Sequence, residues 1–310
     1  MSSPAFQNAW VLTGPTGSGK SEYALRLAER WNAEIIAMDS MTLYRGMDVG
    51  TAKPSENDRR RVVHHLIDIL HPWESANVAW WRERAIECCR EIESRGKRVL
   101  FVGGTPLYLK ALLSGLFEGP PANPEIRQRL EILAANEGQE ALHRQLMVID
   151  PMTAQRLHPH DLKRVVRAIE VWEMTGRPIS CWQQQWQEAT LGHPAVAVCR
   201  WIDRPRRELY SRINYRVEKM LESGWLDEAR RLRDLHLPMS REASKAVGYP
   251  EIFAYLDGKM GLPEATAKIQ MRCRQFAKRQ MTWFRNLAEC RQLPISGDQF
   301  PSPELWPDFA

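Results

Sequence analysis

Hydrophobic and polar positions switch between two periods along the first hundred residues. Ala9-Trp10-Val11-Leu12 is an unbroken apolar run that leads into a glycine-rich turn. Beyond the turn, Ala24, Leu27, Ala28 and Trp31 fall at i, i+3, i+4 and i+7, the spacing of one helix face. Glu34-Ile35-Ile36-Ala37-Met38 is a second, β-branched run, closed by Asp39. A helical period then holds from about Val78 to Ser94, with Gly96 as its stop. Arg98-Val99-Leu100-Phe101-Val102 is the third run and ends in Gly103-Gly104. Short buried strands separated by amphipathic helices predict a parallel α/β sheet.

The texture changes at Glu118-Gly119-Pro120-Pro121-Ala122-Asn123-Pro124. From there to about His193 the pattern is helical throughout. A strand returns at Ala195-Val196-Ala197-Val198-Cys199, followed by helices to about Leu287, one of them over Pro205 to Leu221. From Leu293 the chain is proline-rich and predicted irregular. The expected organisation is an α/β core of residues 1–119 and 194–310, interrupted by a helical insertion domain over 120–193.

Composition narrows the class without naming a function. The 310 residues are 44% hydrophobic and 26% charged, which excludes a collagen, a wholly disordered chain and a disulfide miniprotein. The formal net charge of +5 is unevenly spread. Arg200 to Arg216 holds six arginines against two acids, and Glu264 to Arg291 holds seven cations against two acids. The remainder of the chain is mildly acidic, so the basicity amounts to two concentrated cationic stretches suited to a polyanion. The six cysteines show neither C-x-x-C nor zinc-finger spacing and are expected to be reduced thiols. The N-terminus lacks the pattern of a signal peptide, and the longest apolar runs fall short of a membrane span. A cytoplasmic protein without membrane segments is expected.

The sharpest motif is Gly14-Pro15-Thr16-Gly17-Ser18-Gly19-Lys20-Ser21, which fits G-x-x-x-x-G-K-[ST] at every fixed position. It follows the first strand and opens the first helix. Glycines there let backbone N–H groups converge on phosphate oxygens, and the helix N-terminus adds its dipole. Lys20 supplies a point charge, and the Ser21 hydroxyl is a natural Mg²⁺ ligand. The fold this implies is P-loop NTPase-like. The guanine signature N-K-x-D is absent, and the third strand ends in Gly103-Gly104-Thr105 where a Walker-B carboxylate would stand. The carboxylate falls after the second strand, at Asp39, where it could hold Mg²⁺ through water or act as a general base.

Further blocks resemble one family. Asp39-Ser40 with Tyr44, Met47-Asp48-Val49-Gly50-Thr51-Ala52-Lys53-Pro54 and Val102-Gly103-Gly104-Thr105-Pro106-Leu107-Tyr108 follow the phosphate loop in order. Arg164-Val165-Val166-Arg167-Ala168-Ile169-Glu170-Val171, Arg212-Ile213 with Arg216, Gly248-Tyr249, and Arg274-Gln275-Phe276-Ala277-Lys278-Arg279-Gln280 with Thr282-Trp283 complete the set. Together they resemble the tRNA dimethylallyltransferase (tRNA isopentenyltransferase) family across nearly the whole chain. Without a zinc-finger tail, the chain is similar to the bacterial type.

The resemblance implies transfer of the dimethylallyl group of dimethylallyl diphosphate to the exocyclic N6 amine of the adenosine 3′-adjacent to the tRNA anticodon, releasing diphosphate. Gly14, Thr16, Gly17, Ser18, Gly19, Lys20, Ser21 and Arg212 would bind the diphosphate, with Mg²⁺ as cofactor at Ser21. Asp39 would take the amine proton, Thr105 would orient the substrate, and Arg216 would close on the leaving group. The anticodon stem-loop would meet Asp39, Ser40, Met41, Thr42, Thr105, Arg127, Lys163, Arg164, Arg167, Lys245, Gly248, Tyr249, Arg274, Gln275, Lys278 and Arg279. A monomer is expected. Two departures from the family pattern are Pro250 after Gly248-Tyr249 and Cys273 before Arg274-Gln275. The alternatives are an ATP-dependent small-molecule kinase, an adenylate isopentenyltransferase and a non-catalytic RNA-binding protein.

Overall fold

The computed structural model describes residues 6–116, 119–190, 196–297, 299–302 and 306, with the backbone alone over 185–190. The chain divides into two compact units, one spanning Ser3–Leu113 with Pro194–Ala310, the other Ser114–His193. The residues on either side of the boundary expected at 193–194, and Glu118 at the texture change, lie outside the described residues.

In the larger unit, β1 (Trp10–Thr13), β2 (Ala33–Ala37), β3 (His64–His65), β4 (Arg98–Gly103), β5 (Val198–Asp203) and β6 (Arg291–Pro294) form one sheet. Their order is β3-β2-β4-β1-β5-β6, and every pairing is parallel. β1 and β2 are buried along their whole length, as two-sided parallel strands must be. Successive residues serve opposite faces: Val11, Ile36 and Phe101 join one core, while Trp10, Leu12, Ile35 and Leu100 join another. α1 (Lys20–Trp31) covers the second face, and α3 (Val78–Ser94) covers the first. Between them α2 (Glu56–Arg61) starts at a capping box of Ser55 and Asp58. α4 (Pro106–Ser114) follows β4 directly.

The smaller unit is helical, with α5 (Pro124–Glu137), α6 (Gln139–Ile149), α7 (Pro151–Arg156), α8 (Leu162–Thr175) and α9 (Ile179–Thr190). It has its own core, in which Leu130, Leu142, Leu146, Val165 and Ile169 are fully buried. After β5 the larger unit continues with α10 (Arg206–Glu222), α11 (Trp225–Arg233), a 3₁₀ turn at Ala243–Lys245, α12 (Tyr249–Leu256) and α13 (Leu262–Arg285). Among the described residues no helix is long and apolar enough to cross a membrane. All six cysteines are free thiols.

The α/β fold with its parallel sheet and helical insertion is the one expected from sequence; three local readings change. The strand placed at Ala195–Cys199 begins at Val198, because its pairing with β1 runs from Trp10↔Val198 to Thr13↔Trp201; Ala195 itself lies outside the described residues. The irregular tail contains β6, an exposed edge strand held by pairing with β5 and not by an apolar pattern. Along α13 the expected seam of Ile269, Cys273, Phe276, Trp283 and Leu287 is rotated. Ala277, Gln280, Met281 and Phe284 are buried in it, whereas Phe276 and Trp283 are only half-buried.

Candidate active site

An all-parallel sheet brings the C-terminal ends of its strands to one edge, where ligands bind in folds of this kind. Three turns leave that edge side by side. The first is Gly14–Gly19 after β1, which adopts left-handed backbone at Gly17 (φ 79°) and Gly19 (φ 90°), conformations that glycine accepts without strain. α1 begins at Lys20, so Lys20 and Ser21 sit on its first turn. The second turn carries Asp39 after β2; Asp39 Oδ1 accepts the Met41 N–H at 2.9 Å, which orients the carboxylate. The third is Gly103-Gly104-Thr105 after β4. A Cβ on Gly103 would stand 2.0 Å from the Met38 carbonyl, and one on Gly104 would stand 2.6 Å from Gln280 Nε2. At Gly103, where the neighbour is backbone, only glycine permits that close approach.

Hydrogen bonds tie the turns together. Ser40 N–H donates to Thr105 Oγ1 at 3.1 Å, and Thr105 N–H donates to Met38 O at 3.3 Å. Gln280 reaches in from α13: its Nε2 donates to Gly104 O at 2.5 Å, and its Oε1 accepts Thr16 N–H at 2.9 Å. α10 brings Arg212 and Arg216 to the loop on one face, as their i, i+4 spacing requires. Arg212 Nε donates to Gly17 O at 3.2 Å, and Arg216 Nη1 reaches Thr16 Oγ1 at 3.4 Å.

Lys20, Asp39 and Arg216 together line two adjoining cavities. One, of about 240 Å³, also includes Thr16, Thr105 and Phe276. The other, of about 90 Å³, is walled by Ala24, Leu25, Ile35, Ala37 and Val102. Burial lowers the Lys20 pKa to about 8, against the opposing pull of Asp39; Arg216 lowers it further. Burial likewise lowers the pKa of Arg216, offset in part by Cys273 and Asp39. Two desolvated cations beside one carboxylate make a site primed for added negative charge. Among the described residues no cluster of three or more His, Cys, Asp or Glu could hold a metal unaided.

The loop of the Met47–Pro54 block is held from beneath by Glu228 on α11, a residue the sequence reading missed. Its buried carboxylate accepts the N–H groups of Asp48 and Val49, each at 2.7 Å, and of Gly50 at 3.0 Å. Lys53, its side chain 1% exposed, donates to Asp48 and Asp68 at 2.5 Å each and to Tyr44 O at 2.6 Å. Gly50 and Gly248 both lie against Trp225, where a Cβ would approach to 2.1 Å and 2.2 Å.

Several residues expected at the RNA surface have other work in the fold. Tyr249 is fully buried and its hydroxyl donates to Glu228 at 2.7 Å, so its side chain is a pillar under the loop. Gly248 is buried beside it, and the Thr42 hydroxyl is turned inward to Asp39 O at 3.2 Å. In the smaller unit, Arg127 and Arg167 both pair with the fully buried Glu170, whose pKa these hydrogen bonds lower against the cost of burial. Arg164 pairs with Asp161 at 3.1 Å, and Lys163 is exposed. In the larger unit, Arg274 donates to Asn214 Oδ1 at 2.6 Å, while Gln275, Lys278 and Arg279 are exposed on α13. Lys245 is exposed and, with Ser40 and Met41, edges the 240 Å³ cavity.

A parallel sheet with a glycine loop of the phosphate-binding pattern between a central strand and its helix defines the P-loop class. Comparison with known proteins is more specific. The IPP transferase family model matches residues 42–287, and the isopentenyl transferase model matches residues 7–67. A tRNA dimethylallyltransferase of Geobacter metallireducens is 47% identical over 90% of this chain and 90% of its own. One from Geobacillus kaustophilus is 41% identical over 92% of this chain and 88% of its own. The crystal structure of the full-length tRNA isopentenylpyrophosphate transferase from Bacillus halodurans is 38% identical, with a TM-score of 0.68 over 95% of this chain and 92% of that one. The chain therefore belongs to the tRNA dimethylallyltransferase family and is a prenyltransferase.

Proposed function

We propose that the enzyme transfers the dimethylallyl group of dimethylallyl diphosphate to tRNA, at N6 of the adenosine 3′-adjacent to the anticodon, and releases diphosphate. The observation that carries this reading is the convergence of Lys20, Asp39 and Arg216 where the two cavities adjoin. The phosphate loop takes the diphosphate, the aliphatic walls of the smaller cavity suit a five-carbon group, and the larger cavity admits the base. As the allylic C–O bond breaks, its electron pair passes to the diphosphate, whose growing charge Lys20, Arg216 and the loop N–H groups stabilise. The N6 lone pair forms the new C–N bond, and the amine proton passes to the Asp39 carboxylate, which Met41 N–H holds in place. Thr105 orients the incoming base. Ser21, on the first turn of α1 and lining the smaller cavity, offers a hydroxyl oxygen that fits Mg²⁺. When bound there with the substrate phosphates, Mg²⁺ would neutralise charge on the diphosphate, its usual role beside few protein ligands.

The stem-loop contacts fall to exposed cations, Lys245, Lys278 and Arg279 in the larger unit and Lys163 and Arg164 in the helical insertion. The protein acts as a monomer in the cytoplasm, where its tRNA substrate resides. The target base must leave its stack to reach Asp39, as base-modifying enzymes require. One second reading, an enzyme that prenylates free AMP, would share the phosphate loop, which the isopentenyl transferase model also spans at residues 7–67. One experiment separates the two. The protein is incubated with dimethylallyl diphosphate, Mg²⁺ and either total tRNA or AMP, and the digested nucleosides are weighed. Prenylated adenosine is expected from tRNA alone, and its absence there overturns the proposal. Asp39→Ala is expected to lose at least about 10²-fold in single-turnover rate while binding tRNA normally; a near-wild-type rate removes Asp39 from the base role.

A further inference from the structure

Arg204 lies two residues before α10, at the end of β5 and within the basic stretch from Arg200 to Arg216. Its side chain is 0% exposed. The guanidinium lies behind the phosphate loop: Nε donates to Ser18 O at 2.6 Å, and Nη1 donates to Glu208 and to Gly297 O. A Cβ built on Gly19 would meet Arg204 Nη2 at 3.4 Å and the Phe300 ring at 3.0 Å. Arg204 in turn packs over the Phe300 ring, 5.8 Å from its centroid, and Phe300 stacks on Tyr23 of α1 at 4.9 Å.

We infer that Arg204 is a positioning residue for the phosphate loop, holding it from the rear so that its N–H groups face the diphosphate before substrate arrives. The reasoning rests on peptide geometry. In a trans peptide the carbonyl and the N–H of one unit point in opposite directions. Fastening Ser18 O backwards therefore aims Gly19 N–H forwards, into the cradle. Arg212 fastens the preceding carbonyl, Gly17 O, at 3.2 Å, while the Ser18 N–H of that unit donates to Pro15 O at 3.2 Å and closes the loop on itself. A donor fixed in advance needs no reorganisation when charge develops on the leaving group, and such preorganisation is what stabilises a transition state. The choice of arginine follows. One planar fork reaches the loop carbonyl, the Glu208 carboxylate and the Gly297 carbonyl at once, which a lysine cannot do.

This inference rests on the reading that the loop holds the donor's diphosphate, so the experiment tests the two separately. The wild-type enzyme is first titrated with inorganic pyrophosphate as a competitive inhibitor against dimethylallyl diphosphate. Failure to inhibit would defeat the reading of the loop itself. With inhibition established, Arg204→Gln and Arg204→Lys are compared at equal fold stability, judged by thermal unfolding. The expected result is a 10- to 100-fold rise in the pyrophosphate inhibition constant and in the KM for dimethylallyl diphosphate, with the KM for tRNA within twofold of wild type. Lysine is expected to restore stability but to leave at least a fivefold defect. A merely structural residue would lower the amount of active enzyme and leave both constants unchanged, which would overturn the inference, as would equal losses for both substrates. Should neither Arg204 variant fold, Phe300→Leu decides: a rise of threefold or more in the pyrophosphate constant is expected, and no change overturns the inference.

Discussion

Lys20 shows how the site trades stability for readiness. Its ammonium is desolvated at the N-terminus of α1 and its pKa is lowered from 10.5 to about 8, so it stays mostly protonated at neutral pH but at a cost. At about 1.4 kcal/mol per pKa unit, that cost is about 3 kcal/mol to the substrate-free fold. Its sign with pH is fixed. Below pH 8 the folded and unfolded chains both carry the proton and the penalty is complete. Between pH 8 and 10.5 the unfolded chain binds the proton and the folded one does not, so the penalty is relieved as pH rises. Lys20→Met should therefore unfold at a higher temperature than wild type at pH 7, with the gap shrinking towards pH 10. The same titration should weaken pyrophosphate binding by about tenfold per pH unit above 8 in the wild type, and leave the variant's weak binding flat. Parallel thermal and inhibition profiles across this range check both. A variant less stable than wild type at pH 7 would show that Asp39 repays the desolvation of Lys20 in full.

At the scale of elements, the site is three strand-end turns and one loop, and they differ in how far sequence discloses them. The phosphate loop, Asp39 and the Gly103-Gly104 turn were legible because each follows a buried apolar run, and the same local chemistry makes the turn and the site. Arg212 and Arg216 were legible because helical spacing puts them on one face. Glu228, Gln280 and Arg204 were not, since each acts on backbone groups roughly 175 or more residues away: Glu228 on Asp48–Gly50, Gln280 on Thr16 and Gly104, Arg204 on Ser18. A charged or polar residue on an otherwise amphipathic helix carries no local sign of such a partner. β6 was missed for a related reason, as its pairing with β5 and not its own pattern makes it a strand. Glu228 gives the element-scale test. Removing its buried carboxylate leaves three half-covered loop N–H groups without their acceptor, so Glu228→Ala should cost about 3 kcal/mol and lose both substrates together. Tyr249→Phe removes one hydroxyl bond and should cost about 1 kcal/mol, with tRNA affinity unchanged. Denaturant titration and tRNA binding measured on both variants distinguish a pillar from an RNA contact: a Tyr249→Phe protein that folds normally and binds tRNA tenfold more weakly would return Tyr249 to the RNA surface.

At the scale of the whole molecule, the charge that should attract RNA is not where simple counting puts it. Residues 114–193 hold eight Lys and Arg against ten Asp and Glu, so the helical unit is slightly anionic and the excess positive charge lies in the larger unit. Part of the cationic inventory is also internal. Arg204 is buried under the phosphate loop, Lys53 is locked between two aspartates, and Arg127 and Arg167 are committed to Glu170. The exposed cations proposed to meet phosphates are therefore fewer, and Lys278 and Arg279 are adjacent among them on α13. Each phosphate neutralised contributes about −0.7 to −0.9 to the slope of log affinity against log salt, so about five contacts should cost about 10²-fold in tRNA affinity between 50 and 200 mM salt. Lys278→Ala with Arg279→Ala should flatten the slope by about two contacts while leaving dimethylallyl diphosphate binding intact. Arg127→Ala with Arg167→Ala should instead strand Glu170 unpaired, lowering the stability of the helical unit and leaving the slope nearly unchanged. Filter-binding isotherms over a salt series, read beside thermal unfolding, separate these outcomes; a slope that falls equally for both pairs would mean that the Glu170 arginines open to the RNA when it binds.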